Sequence, residues 1–423
     1  MYEISTLKNG ARCVARSIPD RDSVAIGVWL NVGARYEPAR LSGASHFLEH
    51  LLFKGTKKRS AEDIKQGIEG RGGAMNGFTS EEFTCYLVKV LNRDIEVAVD
   101  VLSDMVLNAG LAMEDIRKEK TVIQEEIKLY VDLPNHHVHD MLMELLWPEQ
   151  PLGRNLAGSI ETVAAMTRND LVNYKKRYYN PKNIVISAAG NIEAGYLFAC
   201  CDKFFDGAKT GTKASCGRPF EIQKRPRHKV LSKQTEQAHL AIGLRAFGRN
   251  DPDRYVLTLL HIILGGNMSS RLFRELREKR GLAYEINTHT KRLNDTGAFL
   301  VSAGLDSKNV LRSLELIMKE LRKIKDAPVG KDEFKRAMEF YKGQLLLGLE
   351  DTLDQMLWMG EHLSAEDNIP TPQEVVEEID KIDRGDIERV AGRVFTDGRL
   401  NLAVIGTLNK TEEKKISEVL HIG

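Results

Sequence analysis

One order of secondary-structure signals occurs twice along this chain, and it constrains the fold more than any other feature. In the first half the apolar run "SVAIGVWL" is a strand ahead of a helix. "FTCYLVKV" is a second strand, leading into the helical "RDIEVAVDVLSDMVLNA". A polar turn and the charged helix "MEDIRKEKTVIQEEIKLY" follow. In the second half "AHLAIGLRA" is the strand and "YVLTLLHIIL" the helix, which ends at Gly265-Gly266. "GAFLVSAGL" then leads into "KNVLRSLELIMKELRKIK", a turn, and the charged "KDEFKRAMEFYKGQLLLGLE". Between the two, "FFDGAKTGTKASCGRPFEIQKRPRHK" is rich in Gly, Lys, Thr, Ser and Pro and has no sustained period, so it reads as a linker.

An internal duplication of an α+β unit accounts for the recurrence. A chain of 423 residues also suits two domains of about 200 residues each. The expected fold is α+β with two homologous halves, each an antiparallel sheet covered by helices on one face. The expected boundaries are 1–205 and 229–423, with a linker over 206–228.

The bulk numbers remove several function classes. Lysine plus arginine number 61 against 60 aspartates and glutamates, which gives no reason to expect nucleic acid or an anionic membrane as partner. No run of eighteen apolar residues offers a membrane span. The start, "MYEISTLKNGARCVARS", lacks the apolar core of a secretory signal, and Glu3 argues against an organelle-targeting segment. The five cysteines are an odd number without a CxxC. That pattern favours reduced, mostly buried thiols in a cytoplasmic protein.

Against this bland background stands "SHFLEHLLFKGT", residues 45–56. Phe47, Leu48, Leu51 and Leu52 have the spacing of a buried helical face, yet His46, Glu49 and His50 are set among them. On a helix His46 and His50 share a face and can hold one divalent cation. Glu49, one step around, can take the proton from water bound to that cation. This H-x-x-E-H order inverts the commoner H-E-x-x-H zinc helix. The bland alternative, two core histidines, lacks partners for two imidazoles and a carboxylate on an apolar helix.

A catalytic zinc needs a third protein ligand. "IRKEKTVIQEEIKLY" offers Glu119, Glu125 and Glu126, and helical phase separates them. Glu125 falls with Lys118, Thr121 and Lys128 on a solvated face. Glu126 falls with Val122 and Leu129, beside the stripe of Ile116, Ile123, Ile127 and Tyr130, where an acid wants a cation. Glu126 is therefore the expected ligand. Glu119, two turns earlier on the same face, is placed to support the site from behind.

"GASHFLEHLLFKGT", "GGAMNGFTSEEFTCY", "EKTVIQEEI" and "SSRLFRELREKRGLAYEI" together resemble the pitrilysin family of zinc peptidases, in particular its bacterial and processing-peptidase-like branch. The resemblance covers essentially the whole chain. It implies one Zn2+ per chain on His46, His50 and Glu126, with Glu49 as general base and Glu119 as supporting acid. It further implies that Arg277 and Tyr284, in "LREKRGLAY", bond the substrate carbonyl and the developing oxyanion. Asn76, Gly77 and Phe78, on a turn feeding a strand, would bind the substrate backbone as an added strand. Ser45 stands where the family usually has alanine.

The activity implied is zinc-dependent endoproteolysis of short or unfolded peptides, in a chamber enclosed by two clam-like halves. A homodimer is expected, because this chain carries both the zinc motif and the Arg/Tyr pair. The alternative is a non-catalytic structural or peptide-binding subunit of the same family; such members usually lose a ligand or the base, and here all are present. Two other features are set aside. "NHHVHD", with His136, His137 and His139, lies just past "DLP" and reads as a polar surface turn. "LGGNMSSR" has neither the lysine nor the spacing of a phosphate loop.

Overall fold

The computed structural model describes residues 2–220, 222–366 and 368–423. Among the described residues the first half of the chain has six strands: β1 (Glu3–Thr6), β2 (Arg12–Ser17), β3 (Ser23–Leu30), β4 (Ala74–Thr79), β5 (Thr84–Leu91) and β6 (Ile184–Gly190). Its helices are α1 (Ala44–Leu52), α2 (Ala61–Ile68), α3 (Ile95–Asn108), α4 (Met113–Asp132), α5 (Pro134–Leu146), α6 (Ile160–Ala165), α7 (Arg168–Tyr178) and α8 (Ala194–Phe205). The second half supplies β7 (Arg227–Ser232), β8 (Ala238–Ala246), β9 (Ala283–Arg292), β10 (Gly297–Leu305) and β11 (Leu400–Gly406). Its helices are α9 (Arg254–Leu264), α10 (Val310–Asp326), α11 (Lys331–Gly348), α12 (Thr352–Glu366), α13 (Pro372–Asp380), α14 (Arg384–Val394) and α15 (Lys410–Val419). The described residues between Phe205 and Arg227 form no helix or strand. Among the described residues no helix is long and apolar enough to cross a membrane.

The duplication is visible strand by strand. The first sheet runs β1-β2-β6-β3-β5-β4 and the second β7-β11-β8-β10-β9. Setting β1 aside, the two orders are the same. Each sheet is antiparallel except for one parallel pair, β2 with β6 and β7 with β11. The parallel pair corrects the expectation of purely antiparallel sheets. In each half the last strand returns beside the first only after a run of helices, a connection long enough for parallel pairing.

The fold is α+β, with both sheets covered by helices. In β3 every residue after Ser23 is buried, so the sheet has cover on both faces. Val24, Ile26, Val28 and Leu30 pack in the cluster that includes Phe47 and Leu51 of α1 and Leu102 and Met105 of α3. Ala25 and Trp29 face the other way, against Met356, Met359 and Leu363 of α12. Burying side chains of that size contributes roughly 1.5–3 kcal/mol each. The second sheet is covered reciprocally: Val138, Met141, Leu142 and Leu146 of α5 pack on Ala241, Leu300, Ala403 and Ile405.

Packing therefore departs from the linear division at 1–205 and 229–423. One compact unit comprises Met1–Lys128, Arg154–Gly217 and Leu347–Pro370, and the other Leu129–Gly153, Arg218–Leu346 and Thr371–Gly423. Each half lends one helix to the other's sheet. The exchange also corrects the treatment of "NHHVHD" as a turn. Pro134 occupies the first turn of α5, a position that suits proline, and the apolar stripe from Val138 onward is buried.

Candidate metal centre

Helix α1 is nine residues long and buries Ala44, Ser45, Phe47, Leu48, Leu51 and Leu52. The apolar spacing thus does form a helix against the core, and His46, Glu49 and His50 line its half-buried side. The two imidazole rings lie 4.6 Å apart, centre to centre. Helix α4 brings Glu126 to them. Its Oε2 stands 3.7 Å from His46 Nε2 and 3.6 Å from His50 Nε2.

Those separations are too long for hydrogen bonds. They are close to the edge of a zinc tetrahedron, about 3.4 Å for ligands about 2.1 Å from the metal. Among the described residues His46, His50 and Glu126 are the group whose donor atoms converge as metal ligands do. Burial, helped by His50, pushes His46 down to about 4, so its lone pair is free at neutral pH. Its Nδ1 is buried and has no hydrogen-bond partner among the described residues. Three unbonded donors converging on one point fit a bound Zn2+ with a fourth position left for water.

The surroundings tune each group. Glu119 is buried, and its Oε2 lies 3.1 Å from His50 Nδ1 while its Oε1 lies 2.8 Å from Lys54 Nζ. Burial pushes the Glu119 carboxyl up, but hydrogen bonds from His50 and Lys54 outweigh it and hold the group below the usual range. For His50, burial works against the charge, and the bond to Glu119 with the fields of Glu49 and Glu126 reverses the sign and raises it. Burial raises both Glu49 and Glu126. Thr79 Oγ1 donates to Glu49 Oε2 at 3.1 Å. Glu125 points to solvent and pairs with Lys128 at 2.7 Å. Val122 and Leu129 are 48% and 57% exposed, so Glu126 sits at the open border of the stripe in which Ile116, Ile123 and Ile127 are buried.

Strand β4 is a free edge of the first sheet and carries Asn76, Gly77 and Phe78. Alternation divides them. Gly77 faces α1, where a Cβ would lie 3.3 Å from Glu49 Cγ and 3.0 Å from the Phe53 ring. Phe78 turns to the other face, edge-on to Trp29 and Phe83. Asn76 is exposed, and its Oδ1 accepts from the Gly77 amide. In the other unit Arg277 lies in a short π-helical turn, Phe273–Glu278. Its guanidinium is 5.7 Å from the ring of Tyr284, which is 73% exposed at the start of edge strand β9. Sequence reasoning missed Thr79 and Lys54. Thr79 was findable, because it shares β4's inward phase with Gly77; Lys54, one turn beyond His50, gave no signal.

Comparison with known proteins gives the family. Residues 12–160 match the family described as Insulinase (Peptidase family M16), and residues 165–341 match the Peptidase M16 inactive domain. An uncharacterized zinc protease of Streptomyces coelicolor is 35% identical, covering 98% of this chain and 92% of that one. Another from Bacillus subtilis is 36% identical, covering 94% and 96%. The fold is shared with a protease from Helicobacter pylori at a TM-score of 0.89 and 23% identity, covering 96% and 99%. It is shared too with a peptidase M16 inactive domain structure from Pseudomonas fluorescens, at a TM-score of 0.88 and 16% identity, covering 97% and 98%. The chain belongs to peptidase family M16, the pitrilysin family.

Proposed function

We propose that this protein is a zinc-dependent endopeptidase that hydrolyses short or unfolded peptides. The observation that carries the proposal is the convergence of His46, His50 and Glu126 beside a half-buried Glu49 on the same helix. One Zn2+ per chain, held by those three residues, would supply a water acidified towards neutrality and a Lewis acid for the scissile carbonyl. Glu49, raised by burial and oriented by Thr79, accepts the proton of the attacking water and passes it to the leaving amine. Glu119 fixes the His50 tautomer through Nδ1. The substrate adds as a strand along the β4 edge at Asn76, Gly77 and Phe78, with affinity from its backbone and loose sequence preference. Arg277 and Tyr284 donate to the substrate carbonyl and to the oxyanion.

The proposal includes a homodimer in the cytoplasm, where the odd set of five cysteines suits a reducing compartment. The complete ligand set and base favour an enzyme over a non-catalytic peptide-binding subunit. A random peptide library digested with and without a chelator, read by mass spectrometry, tests this. Cleavage that the chelator abolishes is expected, and no cleavage of any peptide would refute it. Sedimentation checks the dimer, and a fully active monomer would count against it.

A further inference from the structure

The amino terminus of α1 is capped from outside the helix. The N-cap residue is Gly43, at φ +94°, which has no side chain to offer. A Cβ at Gly43 would lie 2.4 Å from the carbonyl oxygen of Ala157, so a capping serine or aspartate is sterically barred there. The free amides are met instead by Glu37, six residues upstream. Its Oε2 accepts from the Gly43 amide and its Oε1 from the Ser45 amide, each at 2.7 Å. Glu37 is 3% exposed, and Arg154 donates to its backbone carbonyl at 2.8 Å. Ser45, in turn, shares a hydrogen bond with the Tyr174 hydroxyl at 2.9 Å.

We propose that Glu37 is a positioning residue for the metal centre: its two-pronged hold on the first turn of α1 sets the angle at which His46 and His50 leave the helix. His46 directly follows the clamped Ser45, and the helix has only nine residues to average out an error at its start. A carboxylate at a helix amino terminus is also favoured by the peptide dipoles. The inference rests on α1 being the zinc helix. It assigns a role to a residue that touches neither metal nor substrate.

Glu37→Gln keeps the shape but replaces one acceptor oxygen by an amide that cannot accept from a backbone N–H. Burial pushes the Glu37 carboxyl up to about 7, so the assays belong at pH 8, where it is ionised. The zinc is exchanged for cobalt, whose visible absorption reports ligand geometry, and peptide cleavage is measured alongside. The expected result is a shifted cobalt spectrum with kcat down about 10- to 100-fold and KM within about twofold. Glu125→Gln, on the solvated face, should match wild type in both. Glu37→Asp, which keeps the charge but withdraws its oxygens by one methylene, carries the same test if Glu37→Gln does not fold. A wild-type cobalt spectrum in the folded variant would overturn the proposal, whatever happens to kcat. Wild-type protein that binds cobalt and cleaves nothing would sink the peptidase reading, and the spectrum alone would still decide the role of Glu37.

Discussion

Replacing Glu119 by glutamine tests whether the metal centre is built from behind as well as in front. Glu119 is 4% exposed and holds two partners, His50 Nδ1 at 3.1 Å and Lys54 Nζ at 2.8 Å. Those bonds keep the carboxyl ionised at neutral pH, so it fixes the His50 proton on Nδ1 and leaves Nε2 free to face Glu126. Glutamine keeps one acceptor oxygen and must leave one partner unserved. A hydrogen bond to a charged group contributes about 1.5–3 kcal/mol. The Lys54 share is smaller, because its side chain is 38% exposed and screened by water. The loss therefore falls mainly on His50 as a ligand, and zinc affinity should drop about 10- to 100-fold, or about 1.4–2.7 kcal/mol. Competition against a chelator of known affinity at pH 7.5 measures it, with Glu125→Gln as the silent control. Affinity of Glu119→Gln within about twofold of wild type would refute the argument.

Glu49→Gln should keep one zinc per chain by metal analysis and lose cleavage by about 10²–10⁴, the usual worth of a general base; full turnover would remove Glu49 from that role. Tyr284→Phe should cost about 10²–10³ in kcat, about 3–4 kcal/mol, with an unchanged melting temperature, because its ring is exposed and packs little. Unaltered turnover would mean that no oxyanion donor comes from this position. Burial, aided by Lys57, pushes Lys175 from 10.5 down to about 8, and its Nζ donates to the Leu107 carbonyl at 3.0 Å. A depressed folded pKa gives stability that is present above pH 10.5 and lost as pH falls through 8. Wild type should therefore gain about 2 kcal/mol over Lys175→Met between pH 7.5 and 9.5 in urea unfolding, and a gap flat with pH would contradict this. Residues 1–205 alone lack α12 and should show no cooperative melting transition by calorimetry; a sharp one would show that the exchanged helix is dispensable.

Much of the site was legible because it is local. The i, i+4 spacing of His46 and His50 lies within one helix, and helical phase alone separated Glu125, which pairs with Lys128 in solvent, from Glu126, which meets the imidazoles. The burial expected around Glu126 holds on one side only, at Ile123 and Ile127. Val122 and Leu129 looked like core and are open to solvent, since periodicity reports an apolar face and not what covers it. Phe78 shows the same limit. Its place on β4 beside Gly77 was readable, but β alternation sends its ring to the opposite face from Glu49, into contact with Trp29.

The exchange of α5 and α12 was the feature the sequence concealed, and it bears on the site. Each helix has an ordinary apolar stripe, and nothing in a stripe says which of two sheets it will cover. One signal did exist: "SVAIGVWL" is a continuous apolar run and not an alternating one, and such a strand demands cover on both faces. The helices α1 and α3 cover one face of β3, and α12 closes the other. Trp29 lies under α12 with its Nε1 donating to Ser187 at 2.9 Å, and Phe78 packs edge-on against it at 5.8 Å. Phe78 sits between Gly77, where a Cβ would lie 3.3 Å from Glu49, and Thr79, which donates to Glu49. A helix from residues 352–366 thus packs on Trp29, which meets Phe78 of β4, so the surroundings of Glu49 depend in part on a segment encoded after the linker.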